Sequence, residues 1–261
     1  MPLPQVGQLR DLLPCVATQR CAGNSRLPYS LVMRFTRVFL NRLNDQPDAK
    51  DTVVVIDVLR SFTTMAVALA KGASAVYPVE GIATAIELLG GIKCPVSVGA
   101  IAGGDPVPGF DHGNSPSELM RTHLVGKTVV ISSAAGVRAL HRFRQARRLY
   151  AASLVCARAT ADAIRMVGAR HVCFVITGEW VDRDGDEDIA CADYIESLLR
   201  GAPTVPEAFA QRVRKSDFGR QFAAGTSLSL PQDDLELAAH ADLFQFAMPV
   251  LCEEGQLVIR R

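Results

Sequence analysis

Four β-branched residues in a row at 53–56, Val-Val-Val-Ile, end on the carboxylate of Asp57, and Arg60-Ser61-Phe62-Thr63-Thr64 follows almost at once. A run without polar alternation belongs to a strand that is apolar on both faces, the condition of a parallel sheet covered by helices. The chain then repeats this rhythm. A helix is expected over 61–71, closed by Gly72. Strands over 75–79, 96–98, 128–132, 149–152 and 172–176 alternate with helices over 82–89, 117–123, 137–144 and 157–167. A strand over 32–40 precedes the series and a helix over 188–200 follows it. The remainder is expected to be mainly helical until strands at 250–252 and 257–259. Helices set between strands call for an α/β fold with a mostly parallel (mixed) sheet and helices on both faces.

Residues 1–32 carry Pro2, Pro4, Pro14 and Pro28 with little periodicity, so they read as an N-terminal extension ahead of an α/β domain over 33–261. Residues 201–206 fit either a turn or a boundary between two subdomains. A net charge of +1 gives no electrostatic reason to expect nucleic acid or an anionic membrane as partner. No apolar run reaches the roughly 18 residues that span a bilayer. The opening residues lack the basic-then-apolar order of a secretory leader. Cys15, Cys21, Cys94, Cys156, Cys173, Cys191 and Cys252 form no C-x-x-C pair, which removes zinc-ribbon and thioredoxin-type chemistry. Reduced thiols packed as small hydrophobes, and therefore a cytoplasmic location, are expected.

Ligands of open α/β sheets collect beyond the carboxyl ends of the strands. That rule selects four segments. At the first, Asp57 closes an apolar strand where an unpartnered carboxylate is costly, while Arg60, Ser61, Thr63 and Thr64 open a helix whose N-terminus favours an anion. Arginine adds a bidentate fork for phosphate, sulfonate or carboxylate. The bland alternative makes Ser61 a helix cap and pairs Asp57 with Arg60 as a structural ion pair. The second segment, Gly109-Phe110-Asp111-His112-Gly113-Asn114-Ser115-Pro116, offers Asp111, Asn114 and Ser115 before a helix, though an Asx turn explains it equally. The third is Ser132-Ser133-Ala134-Ala135-Gly136, where small residues let a helix N-terminus approach a substrate or simply pack tightly. The fourth runs from Thr177 to Asp188 and is dense in carboxylates. It fails the calcium-loop spacing, yet leaves hard-cation binding open to one or two of Glu179, Asp186, Glu187 and Asp188. A solvated acidic loop accounts for most of these charges.

Several other chemistries fail on spacing. Gly126-Lys127-Thr128 lacks the earlier glycine of a P-loop and opens a strand instead of a helix. There is no dinucleotide G-x-G-x-x-G, no G-x-S-x-G elbow, and no cysteine followed six residues later by arginine. An aspartyl-phosphate enzyme would want a second Asp at the position of Leu59. Metal-assisted hydrolysis is the simplest chemistry left.

Val54-Val-Ile-Asp-Val-Leu-Arg-Ser-Phe-Thr-Thr64, Gly109-Phe-Asp-His-Gly-Asn-Ser-Pro116 and Ala190-Cys-Ala-Asp193 resemble the 2-phosphosulfolactate phosphatase family in content, order and spacing. The resemblance implies an α/β/α phosphatase that uses Mg²⁺ to hydrolyse 2-phospho-3-sulfolactate, a small anionic phosphorylated substrate, in coenzyme M biosynthesis. It implies that Asp57 binds Mg²⁺ or orients water, with Arg60 and Asp111 as its catalytic companions. Arg60, Ser61, Thr63 and Thr64 would hold an anionic group of the substrate, with Asn114 and Ser115 completing the site. On residue chemistry alone, Ser132 and Ser133 join these for the substrate, and Glu179, Asp186 and Glu187 join Asp57 for the metal. A homo-oligomer is compatible with the sequence. Three departures stand out: residues 99–104 lack the Glu and Arg usual in the family, 132–137 lack its Asn and one hydroxyl, and His112 stands where an aliphatic residue is usual. They open two competing expectations, a less charged phosphate ester as substrate, or anion binding without turnover.

Overall fold

Alternation inside the 53–56 run divides the protein into two layers. In the structure, a computed structural model that describes residues 33–42, 51–101 and 104–261, Val53 and Val55 face one apolar cluster and Val54 and Ile56 the other, all fully buried. The expected extension over 1–32 lies outside the described residues.

The first half of the fold comprises β1 (Arg34–Phe39), β2 (Thr52–Ile56), α1 (Ser61–Ala70), β3 (Ala75–Val79), α2 (Ile82–Gly91), β4 (Pro95–Gly99), α3 (Pro116–Leu119), β5 (Thr128–Ser132) and α4 (Ala135–Arg142). There follow β6 (Arg148–Ala152), α5 (Ala157–Met166), β7 (His171–Ile176) and α6 (Asp186–Leu199). The chain then runs through α7 (Pro206–Lys215), α8 (Asp217–Ala224) and α9 (Gln232–Ala238) to the hairpin β8 (Met248–Glu253) and β9 (Gln256–Ile259). The expected α/β class is therefore present. The expected seven-residue helix over 117–123 is only the single turn α3. Its end tightens into i→i+3 bonds, Arg121 N–H to Glu118 O and Thr122 N–H to Leu119 O, which swing the chain toward β5.

The nine strands among the described residues form one sheet in the order β1-β7-β2-β6-β8-β9-β3-β5-β4. Within β1-β7-β2-β6 the ladders are parallel, as they are within β3-β5-β4. The three ladders between the two blocks are antiparallel. Three reversals make the blocks run in opposite senses, a feature that the βα rhythm did not disclose. Sheet twist of roughly 20–25° per strand accumulates to roughly 100–125° over the five steps from β2 to β5. The coiled sheet brings the carboxyl end of β5 against that of β2, where the backbone N–H of Gly136 reaches Asp57.

Helices α1 and α4 cover one face of β2, and α5 and α6 the other. Helix α1 is buried along its whole length, including Thr63 and Thr64, because the sheet coils around it. Phe174 of β7 is fully buried in the second layer and stacks on Phe35 at 6.2 Å between centroids. Phe174→Ala is expected to cost about 3–5 kcal/mol, read as a lowered urea midpoint at unchanged m-value.

Candidate active site

Asp57 stands one residue beyond β2, and both of its oxygens accept backbone hydrogen bonds. Oδ1 takes the N–H of Ser61 at 3.0 Å, at the start of α1, and Oδ2 takes the N–H of Gly136 at 3.2 Å, at the start of α4. Two helix N-termini thus converge on one buried carboxylate. Burial raises its pKa above the ordinary aspartate range, opposed by the hydrogen bonds from Ser61 and Gly136 and by the charge of Arg60. Gly136 has to be glycine, since a Cβ there would lie 2.5 Å from Asp57 Oδ2.

The first turn of α6 supplies two more buried acids. Asp188 is fully paired: Oδ1 accepts from Val58 N–H at 2.8 Å, while Oδ2 accepts from Thr177 N–H at 3.1 Å and Gly178 N–H at 2.7 Å. It staples the loop after β7 to the loop after β2. Burial and the neighbouring Glu187 and Asp57 charges raise its pKa well above normal. Glu187 differs. It is almost wholly buried, and neither carboxylate oxygen has a hydrogen-bond partner. The hydroxyl of nearby Ser216 is committed, donating to Val213 O at 3.0 Å and accepting from Gly219 N–H at 2.9 Å. Burial pushes Glu187 up to about 7, with Asp184 and Asp57 adding repulsion. Gly178 makes room for this side chain, because a Cβ on it would collide with Glu187 Oε1.

A cleft of about 440 Å³ opens where these segments meet. Asp57, Arg60, Ser61, Asn114 and Ser133 line it, as the sequence anticipated. Asn114 Nδ2 donates to Ser61 Oγ at 3.2 Å, and its Oδ1 and the hydroxyl of Ser133 are buried without partners. Other candidates are employed elsewhere. Thr63 Oγ1 donates to Val58 O at 2.6 Å and lies 2.6 Å from Ser153 Oγ, and Thr64 Oγ1 donates to Arg60 O at 3.1 Å. Helical geometry turns Thr63, two residues on, away from Ser61, whereas Thr64 shares the face of Ser61 but is buried with its hydroxyl bonded back to Arg60 O. Ser115 caps α3 and donates to Asp234 Oδ1 at 2.7 Å. Ser132 is buried in β5 and is not part of the cleft wall. Asp111 binds the N–H and hydroxyl of Ser97 at 2.8 and 2.6 Å, which lower its pKa, and lies outside the cleft.

Two of the expected metal ligands are taken by arginines: Glu179 by Arg42 and Asp186 by Arg212. Arg60 is paired too, but with Asp234 instead of Asp57. Its Nη1 lies 3.1 Å from Asp234 Oδ2 and donates to Ser229 O at 2.8 Å, and its guanidinium sits 5.3 Å from the Phe222 centroid. Three groups that sequence reasoning missed complete the wall: Arg138, Trp180 and Arg183. Arg183 was hidden among acidic neighbours, and Arg138 looked like one polar position of an amphipathic helix. Among the described residues, no group of three or more His, Cys, Asp or Glu side chains is arranged to hold a metal ion.

An α/β protein whose strand ends gather buried carboxylates, helix N-termini and arginines around one cleft is the class that fold and site define. The profile of a family described as 2-phosphosulpholactate phosphatase matches residues 39–250, and this chain belongs to that family. A probable 2-phosphosulfolactate phosphatase of Carboxydothermus hydrogenoformans is 43% identical over 148 residues, covering 56% of this chain and 60% of the relative. One from Caldicellulosiruptor saccharolyticus is 34% identical over 149 residues, covering 56% and 61%. One from Thermoplasma volcanium is 28% identical over 205 residues, covering 78% and 91%. The matched region therefore spans about three fifths of the first two relatives.

The Arg60–Asp234 pair is nearly inaccessible to water, so removing one partner strands a buried charge. Arg60→Met is expected to cost about 3–5 kcal/mol, and the added change Asp234→Leu to recover much of it. A double-mutant cycle by chemical denaturation measures both.

Proposed function

We propose that this chain is a Mg²⁺-dependent phosphomonoester hydrolase acting on 2-phosphosulfolactate, the compound named in its relatives. The observation that carries the reading is the buried, unpartnered carboxylate of Glu187 beside Asp57. A carboxylate in that position needs either a proton or a cation. Mg²⁺ is usually held by one or two carboxylates together with water and substrate phosphate, so Asp57 and Glu187 suffice without a third protein ligand. When bound there, the ion would supply Lewis-acid neutralisation of the phosphoryl oxygens and a lowered pKa for an attacking water.

The remaining roles fall to the chain itself. The N-terminal turns of α1 and α4 direct their positive dipole ends at the phosphoryl group. Ser61 and Ser133 orient it by hydrogen bonds, and Asn114 Oδ1 accepts from a water. Asp188 keeps the strand-end loops in register and takes no part in the chemistry. We further assign the reaction to coenzyme M synthesis, as the family resemblance implies, and to the cytoplasm, which the free thiols of Cys94, Cys156, Cys173, Cys191 and Cys252 support. No helix among the described residues is long and apolar enough to cross a membrane. Anion binding without turnover is the competing reading, favoured by Ala100 and Ile101, which make part of the cleft wall apolar.

Phosphate release from 2-phospho-3-sulfolactate is expected to need Mg²⁺ and to fall about 100-fold or more in Asp57→Ala. Release by the wild type with no dependence on Mg²⁺ removes the cation from the reading, and no release at all favours binding alone. A second test needs no turnover. The folded-state pKa of Glu187, about 7, lies above its usual 4.5, so the native state binds the extra proton. Its contribution is then lost as pH rises from the lower value through the higher, on the order of 1–3 kcal/mol. Mg²⁺ takes the place of that proton, so it should raise Tm more at about pH 8 than at about pH 5.5. Glu187→Gln should reduce the pH dependence, leaving the part due to Asp57 and Asp188, and should abolish the response to Mg²⁺.

A further inference from the structure

Charge is unevenly distributed around the cleft. Asp57 lines it, and Glu187 and Asp188 pack behind its wall against Gly178, near enough to Asp57 for the charges to repel. Arg60, the obvious counter-charge, is offset locally by Asp234, which is fully buried against it. A polyanionic substrate would therefore meet a negative wall unless other cations faced it.

Two do. Arg138 rises from α4 two residues after Gly136, the residue that donates to Asp57. Arg183 belongs to the loop that begins at Gly178, against which Glu187 packs. Both line the cleft, so the cations flank the carboxylates from the two elements that hold those carboxylates. Neither is paired with a carboxylate among the described residues. Arg138 Nη2 donates only to the neutral Asn41 Oδ1, at 3.3 Å. Arg183 lays its guanidinium 3.7 Å from the Phe218 centroid, and its Nε is buried without a partner. Arg212, by contrast, is saturated by Asp186 and Asp193. Stacking uses the face of the Arg183 fork and leaves its N–H edge for a ligand. Reciprocal backbone bonds between Trp180 and Arg183, at 3.1 and 3.2 Å, fix the turn that presents it. A desolvated donor edge without a partner is unfavourable in the empty cleft, and a ligand oxygen would offset that cost.

We propose that Arg138 and Arg183, and not Arg60, hold a second anionic group of the substrate, a sulfonate or carboxylate, while the phosphoryl group lies toward Asp57. This rests on the phosphatase reading above. It assigns substrate selection to the α4 turn and the 178–185 loop, and it rules against a phosphate ester with no other charge as the preferred substrate.

The test compares 2-phospho-3-sulfolactate with 4-nitrophenyl phosphate, which carries no second anion, in the wild type, Arg138→Gln, Arg183→Gln and Arg183→Lys. Arg165→Gln, on the exposed surface of α5 and paired with Asp162, is the control. The ratio of kcat/KM for the two substrates should fall about 10- to 100-fold in each Gln variant, mainly through KM of the sulfonated one. Arg183→Lys should recover part of the loss, and Arg165→Gln should leave the ratio as in the wild type. A ratio within about threefold of wild type in both Gln variants overturns the proposal. Calorimetry with sulfolactate alone separates this idea from the phosphatase reading. Binding to the wild type that weakens about tenfold or more in the Gln variants supports the arginine assignment even where no phosphate is released. No binding to the wild type, or equal binding to all variants, overturns it.

Discussion

One carboxylate ties together the helix starts that follow the two blocks of this sheet. Asp57 accepts from the first turns of α1 and α4 at once, and those helices follow strands from blocks that run in opposite senses. Neither helix start meets the other through apolar packing alone, because each begins in polar or small residues: Ser61 in one, Ala134-Ala135-Gly136 in the other. The connection is electrostatic, a negative charge between two positive dipole ends. It forces glycine at 136, fixes where β5 ends relative to β2, and so sets the width of the cleft. Burial that raises the pKa of Asp57 also ensures that the connection is strong only while these donors stay in place.

The buried charges of the site separate into those that are satisfied and those that are not. Asp188 has backbone donors on both oxygens, and Asp234 has Arg60, Ser115 and the N–H of Ser117. These are structural. The hydroxyl of Ser133 and the Nε of Arg183 are buried without partners on the cleft wall, and Glu187, also unpartnered, packs behind that wall against Gly178. A folded chain leaves few such groups, and their concentration in one place is a stronger sign of a ligand than any single one of them.

The layers and strand positions were legible in the sequence because the apolar run at 53–56 and the recurrent β-then-α pattern depend on local composition. The opposed blocks were not. They depend on the pairings Val76↔Ile259 and Leu149↔Val250, which join segments far apart in the chain. In the site, Asp57, Ser61, Asn114 and Ser133 were legible because strand ends and helix starts mark where ligands gather. Thr63 and Thr64 were misleading, since a hydroxyl at the start of a helix faces either the ligand or the core according to its angular position. Arg60 misled for another reason: its neutralising partner, Asp234, lies 174 positions away. Within the acidic run Glu187 was one of four equal candidates, because the sequence does not show which carboxylates are engaged by arginines and backbone and which is buried without a partner.

The hairpin of β8 and β9 sits in the middle of the sheet, although its residues come after every other strand in the chain. A ribosome therefore releases both parallel blocks before it releases the piece that joins them. Until then β6 and β3 each expose an open edge of unpaired backbone groups, the kind of edge that invites pairing with another chain. The nascent protein must spend that interval as two unjoined half-sheets. Assembly of the cleft, whose walls come from both blocks, thereby waits for the hairpin.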